Sequence, residues 1–330
     1  MQNVAIRRIA LLGAVLVASA CGGKNATGPS GQPGTPGTGT GTTPGTFAID
    51  LRWIGGEPNT AVLSAFTEAK ARWEEVIVGD LADEQLTTGA NSIPANACVA
   101  GQPAMSNTVI DDVIIYASVD SIDGTGDVLG QAYPCYIRDE STVALVGVMK
   151  FDEADMQTMV SNGTLDEVIT HEMGHVLGLG TLWDEKLSRA QTSASDTSWI
   201  RTTDVRFTGA GGNGAYGVLG GSGGAPIENC ASGVPTGCGA GTWLGHWRES
   251  TFRNELMTGY ISATGNPVSR MTIAALADLG YTVQANAADA YSLPAAASFS
   301  GVASSAVELK DDMPRAPLYT MRGGRSQRLR

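Results

Sequence analysis

The chain has 330 residues, of which 42% are apolar, enough for one large globular domain or two smaller ones. Its formal charge of −12, from 33 acidic against 21 basic side chains, leaves no cationic surplus to neutralise phosphates and excludes general nucleic-acid binding. Beyond the first segment, no apolar run reaches the roughly 18 residues that a membrane span needs.

Met1–Ile9 carries Arg7 and Arg8 without an acid, and an apolar run to Val17 and small residues follow. This is the pattern of a signal peptide over 1–20. Ala18-Ser19-Ala20-Cys21 resembles a bacterial lipobox, with Cys21 as the lipidated residue, and the same triplet fits an ordinary signal-peptidase site. Residues 21–46 are Gly, Thr, Pro and Ser with almost no apolar side chain, and cannot bury enough surface to offset ordering entropy. The expectation is an exported protein, a cell-envelope lipoprotein or a secreted one, that touches the membrane only through a lipid anchor. Five cysteines are present. With Cys21 set aside, four are left and three pairings are open, of which Cys98–Cys135 with Cys230–Cys238 is preferred because the second closes a short loop.

Folded sequence is expected over 47–283. Phe47 to Trp53 alternates as a strand does. Thr60 to Val78 places Val62, Phe66, Ala69, Trp73 and Val76 on one helical face. Val109 to Val119 and Val143 to Phe151 are β-branched runs that predict strands. Between them, Asp120 to Asp127 has three acids among glycines, without EF-hand spacing, and reads as a turn rather than a calcium loop. A helix is predicted over Ser161 to Gly178, with Thr164 and Glu167 as a capping box and Gly178 as its stop. The stretch from Leu179 to Gly245 is Gly-rich with few helix signals. A last helix is expected over Ser269 to Gly280, and 284–330 reads as a partly disordered extension. β-rich sequence leading into a helix suggests an α+β domain with a mixed sheet.

His171-Glu172-Met173-Gly174-His175 lies inside the second long helix. Residues four apart share a face, so both imidazoles can reach one ion, and zinc favours such nitrogens. Glu172 is then held beside the ion, where it can act as a general base. Gly178 extends the motif to His-Glu-x-x-His-x-x-Gly, the opening of the metzincin pattern, but position 181, where the compact pattern has its third ligand, is Thr181. Only three histidines exist in the chain, so a three-histidine site requires His246 and a long insertion that loops out and returns. The alternative is a carboxylate such as Glu255 as the last ligand, with His246 a bystander.

Further along, His246-Trp247-Arg248, Asn254-Glu255-Leu256-Met257, and Met271-Thr272 with Ala275 to Tyr281 together resemble leishmanolysin, a surface metalloprotease family with a large insertion before the third His. The similarity runs from about Leu165 to Val283. The resemblance implies a metzincin-like fold, His171, His175 and His246 as ligands of one Zn2+, Glu172 as base, and Met257 in a Met-turn beneath the metal. Tyr260 is a candidate oxyanion donor, though at an unusual offset. The chain departs from the family in its few cysteines and in having no sizeable propeptide before Phe47.

The expected activity is endopeptidase cleavage of a protein or peptide substrate through a metal-activated water, the substrate adding as a strand at a sheet edge, with Val143–Val148 as the candidate edge. The alternatives are a lipid-anchored surface protein that keeps the zinc-protease scaffold for adhesion, and a zinc hydrolase acting on a non-peptide bond.

Overall fold

In the computed structural model of the chain, the described residues are 45–139, 141–189, 198–230, 241–262, 265–295 and 306–330. The leader, Cys21, most of the Gly/Thr/Pro segment and Cys238 lie outside them. No described helix is long and apolar enough to cross a membrane.

The first half builds a sheet. After β1 (Ile49–Trp53), α1 (Thr60–Val76) begins at Asn59, whose side-chain oxygen accepts from the Ala61 and Val62 amides. A short hairpin of β2 (Glu84–Leu86) and β3 (Thr108–Ile110) follows, then the long strands β4 (Val113–Asp120), β5 (Gly130–Ile137) and β6 (Ala144–Asp152). The single strand expected over Val109 to Val119 is therefore two. The chain turns at Asp111–Asp112, where the Asp112 carboxylate accepts from the Ala48 and Leu81 amides, at 2.7 and 2.8 Å.

The second half supplies α2 (Glu153–Asn162), α3 (Leu165–Val176), α4 (Ala210–Val218), α5 (Glu249–Phe252), β7 (Tyr260–Ile261) and α6 (Arg270–Leu279). Gly163, at φ 67°, ends α2 and restarts the helix. The helix expected from Ser161 thus begins only at Leu165, and Thr164, at φ −109° and ψ −1°, makes no side-chain cap bond, so the anticipated capping box does not form. The strands β8 (Val307–Glu308), β9 (Tyr319–Met321) and β10 (Ser326–Arg328) come from the segment expected to be a loose extension, and two of them join the main sheet.

That sheet has the order β1-β4-β6-β5-β9-β10. β1, β4 and β6 run parallel and β5 is antiparallel to β6, so the sheet is mixed. β6 lies between β4 and β5, which rules out Val143–Val148 as the substrate edge. Both of its faces are buried, as its near-continuous apolar sequence requires. One face packs on α1 and α3 around Phe66, Trp73, Phe151, Met173 and Val176. The other is closed by the segment from Leu86 to Ile110, through Ile93 and Met105 over Tyr116, Tyr136 and Val146. A Cys98–Cys135 disulfide fastens that cover to β5.

On its inner edge β5 pairs with β9 only at Tyr136 and Ile137. Along its first half, Gly130 to Tyr133, no other described strand pairs on that side, and Ala132 N donates to the Asp312 carbonyl at 2.8 Å.

Candidate metal centre

Helix α3 is the base of the site. It sits close under the sheet because β6 has Gly147 where a Cβ would lie 2.2 Å from Val176 Cγ1. From α1, Trp73 Nε1 donates to the Thr170 carbonyl at 2.9 Å and fixes the helix at its midpoint. His171, Glu172 and His175 are fully buried on the face turned away from solvent.

The chain leaves α3 through Gly178, at φ 104°, and Leu179 N donates back to the Gly174 carbonyl at 3.0 Å. Thr181 is no ligand; its hydroxyl donates to the His175 carbonyl at 2.6 Å and closes the helix end. The Gly-rich stretch then loops out and returns by backbone pairing: Leu244 N donates to the Glu228 carbonyl and Glu228 N to the His246 carbonyl. Trp247 is locked behind His246 by Trp183, Phe207 and Phe252 and by a 2.8 Å bond from its Nε1 to Thr272 Oγ1.

Three imidazoles converge as a result. His175 Nε2 lies 2.8 Å from His171 Nε2 and 3.1 Å from His246 Nε2, and the His171–His246 separation is also 3.1 Å. Each Nδ1 faces a backbone carbonyl: Leu256 for His171 at 2.7 Å, Leu179 for His175 at 2.7 Å, and Thr242 for His246 at 2.9 Å. A carbonyl only accepts, so each proton sits on Nδ1 and three Nε2 lone pairs point at one another. Such an arrangement is repulsive without a cation between them. With one it is favourable, and the edge of a tetrahedral zinc–nitrogen site is about 3.3 Å. Burial, with His175 beside it, holds His171 down at about 3, in the neutral form a ligand needs.

A fourth group completes the cluster. Asp312, from the C-terminal segment, places Oδ2 at 2.9 Å from His246 Nε2, 3.4 Å from His171 Nε2 and 3.5 Å from His175 Nε2. These four residues could hold a metal ion between them. No motif marks Asp312 in the sequence, and its distance from His171 along the chain hides it. The one other acidic grouping of this kind among the described residues is Asp80, Asp111 and Asp112; the Asp120–Asp127 turn does not form one. That turn is organised by Asp152, whose Oδ2 accepts from the amides of Ile122, Asp123 and Gly124.

Glu172 lies beside the cluster, its Cγ 3.4 Å from where a Cβ on Gly130 of β5 would stand. Among the described residues neither carboxylate oxygen has a hydrogen-bond partner. Burial, together with the charge of Asp312, pushes its pKa well up.

Beneath α3 lies Met257, fully buried, its sulfur 3.0 Å from a Cβ built on Gly174. Its turn is fixed by Glu255: Oε2 accepts from Met257 N at 2.7 Å, and Oε1 accepts from Ser269 N and the Thr272 hydroxyl. Both Glu255 oxygens are thereby spent on the turn, which removes it as a ligand in place of His246. Tyr260 stands on β7 opposite Glu308, with Glu228 and Glu249 as its other charged neighbours. Among the described residues its hydroxyl makes no bond to the histidine cluster. Cys230 is disulfide-bonded, and its anticipated partner Cys238 lies outside the described residues.

A mixed sheet whose neighbouring helix presents His-Glu-x-x-His into a buried nitrogen cluster is consistent with a metalloprotease domain. Residues 81–205 match the family model for leishmanolysin, and over that stretch the chain is similar to that family of metalloproteases. The matched stretch contains His171, Glu172 and His175; His246, Met257 and Asp312 fall beyond it. No curated protein matches the chain.

Proposed function

We propose that the protein is a zinc-dependent endopeptidase in which His171, His175 and His246 hold the metal and Glu172 is the general base. The observation that carries this reading is the convergence of three Nε2 atoms whose Nδ1 protons are all committed to backbone carbonyls. Zinc, when bound, supplies a Lewis acid that polarises a scissile carbonyl and lowers the pKa of water.

The chain's own residues do the rest. Glu172 has both oxygens free to take a proton from water and hand it to a leaving amine. The Gly130–Tyr133 edge of β5, which no other described strand covers, takes the role first expected of β6, binding a peptide as an added strand once the Ala132 N to Asp312 carbonyl bond is released. The Met257 turn supports the histidines from below, and Tyr260 has no assigned part. A disulfide at Cys98–Cys135 suits an exported protein. Lipidation at Cys21 belongs to the proposal too, and mass spectrometry of the mature N-terminus tests it.

The direct test is Glu172→Gln against wild type in a casein assay, with zinc per chain measured alongside. Loss of general-base catalysis should lower turnover by about 10²–10⁴-fold at unchanged zinc content. Equal proteolysis by the two proteins refutes the assignment.

A further inference from the structure

The same geometry raises a question about access, because the buried cluster is covered by the chain itself. We propose that the segment around Asp312 is a built-in inhibitor: Asp312 is the fourth ligand of the catalytic zinc, and its backbone occupies the peptide-binding edge of β5. This inference rests on the zinc-endopeptidase reading given above.

The first argument is the carboxylate. Asp312 is 1% exposed, and among the described residues its oxygens have no polar neighbour that serves as a hydrogen-bond partner apart from the three imidazole nitrogens facing Oδ2. A buried, unpaired carboxylate is costly, and its nearest polar atoms are three imidazole nitrogens whose lone pairs repel it. A dication at the centre of the four atoms turns every one of these contacts attractive. The separations of 2.8–3.5 Å within the set bracket the tetrahedral edge. The water that Glu172 would deprotonate needs that same fourth position.

The second argument is the backbone. Ala132 N donates to the Asp312 carbonyl at 2.8 Å, and Gln131 Nε2 donates to the Asp311 carbonyl at 3.0 Å. Farther along, β9 pairs with β5 at Tyr136, so the segment runs parallel to β5 as an added strand. The next side chain, Met313, packs against Gly245, where a Cβ would stand 1.6 Å from Met313 Cε. Met313 lines an open cavity of about 500 Å³ together with Thr181, Leu244 and Arg315.

The third argument is the tethering. Before the site, β8 pairs with β7 and Leu309 N donates to the Gly259 carbonyl at 3.0 Å. After it, β9 and β10 extend the sheet. Between these anchors Asp311 takes φ 47°, the left-handed region, which turns the chain so that Asp312 points inward. Two anchors and a kink place one carboxylate on the metal and one strand on the groove. A substrate cannot bind until this segment is displaced.

The test uses the full-length, zinc-loaded chain with Asp312→Asn and Asp312→Ala; the isosteric Asn variant keeps the shape of the segment if the Ala variant fails to fold. Acetohydroxamate, a small zinc chelator, is titrated by calorimetry, zinc affinity is measured by chelator competition, and casein hydrolysis is followed in parallel. If Asp312 blocks the site, the variants bind acetohydroxamate at least about tenfold more tightly than wild type, because the competent state no longer has to be freed. Their zinc affinity falls, since a ligand is gone, while casein hydrolysis rises. Unchanged acetohydroxamate affinity in both variants overturns the proposal. Tighter acetohydroxamate binding with no casein hydrolysis by either variant upholds the inhibitory segment and refutes the peptidase reading instead.

Discussion

Gly180→Ala is the substitution that most directly tests how the third histidine is held. Gly180 has φ 77°, where an L-residue costs about 1–2 kcal/mol. More telling is its neighbour: a Cβ at this position would stand 2.0 Å from the Gly245 carbonyl oxygen, at least 1.0 Å inside the 3.0 Å that real Cβ atoms respect. Both partners are backbone, so no side chain can swing aside. Residue 245 precedes His246, and the nitrogen it positions must stay within about 0.2 Å of its ligand distance. A displacement several times that tolerance cannot be absorbed without weakening the His246 contact. Zinc affinity should therefore fall by about 10–100-fold, the range for lost ligand orientation. Chelator competition measures this directly, with circular dichroism to show that the sheet and helices persist. Gly214→Ala, in α4 with open space around it, is the control and should leave zinc affinity unchanged. If Gly180→Ala binds zinc as tightly as wild type, the close approach of 180 and 245 does not position His246 and the reasoning fails.

Gly147→Ala should cost about 1–3 kcal/mol by overpacking against Val176, and Gly147→Ala with Val176→Ala should recover part of that loss in denaturant melts. Removing metal should lower the melting temperature: at a metal concentration of about 100 times Kd the linkage is about 2.7 kcal/mol, and an unchanged melting temperature on chelation would show that no ion binds the folded state. Asp152 has a defined acid signature. Burial pushes its carboxyl up, but the amides of Gly124, Ala154, Asp123 and Ile122 outweigh that and hold it at about 2. Its folded value lies below the ordinary value near 4, so its stabilisation is complete above about pH 4 and is lost as pH falls toward 2. Asp152→Asn should cost about 2 kcal/mol at neutral pH and flatten that acid limb in pH-dependent melts.

Local pattern was readable wherever one residue's environment is set by its near neighbours. The periodicity of Val62 to Val76 gave α1, and the spacing of His171 and His175 placed both on one buried face. The errors came where the deciding partner is far away. α4 forms in Ala-Gly-Gly-Asn-Gly, a poor helix sequence, because Asp278 on α6 accepts from the Gly211 and Gly212 amides at 2.9 and 2.8 Å and caps it from outside. The apolar run at Val143–Val148 does not say which strand flanks it, although apolar side chains on both faces argued for a central place. Asp312 carried no local signal at all.

The three histidines come from places with unequal support, and this orders the site by vulnerability. His171 and His175 ride on a helix clamped by Trp73, the sheet and Met257, so their spacing survives small changes. His246 has no helix beneath it; its place depends on the Gly180–Gly245 approach, the Thr242 carbonyl and the aromatic packing of Trp247. Asp312 makes its closest contact, 2.9 Å, with this least secured histidine. A carboxylate that bridges His246 to the edge of β5 therefore does two things at once. It blocks the groove, and it braces the ligand that the rest of the fold holds most loosely. Release of the segment should consequently loosen His246 before either helix-borne histidine, so loss of metal from the opened protein begins on the side of the insertion.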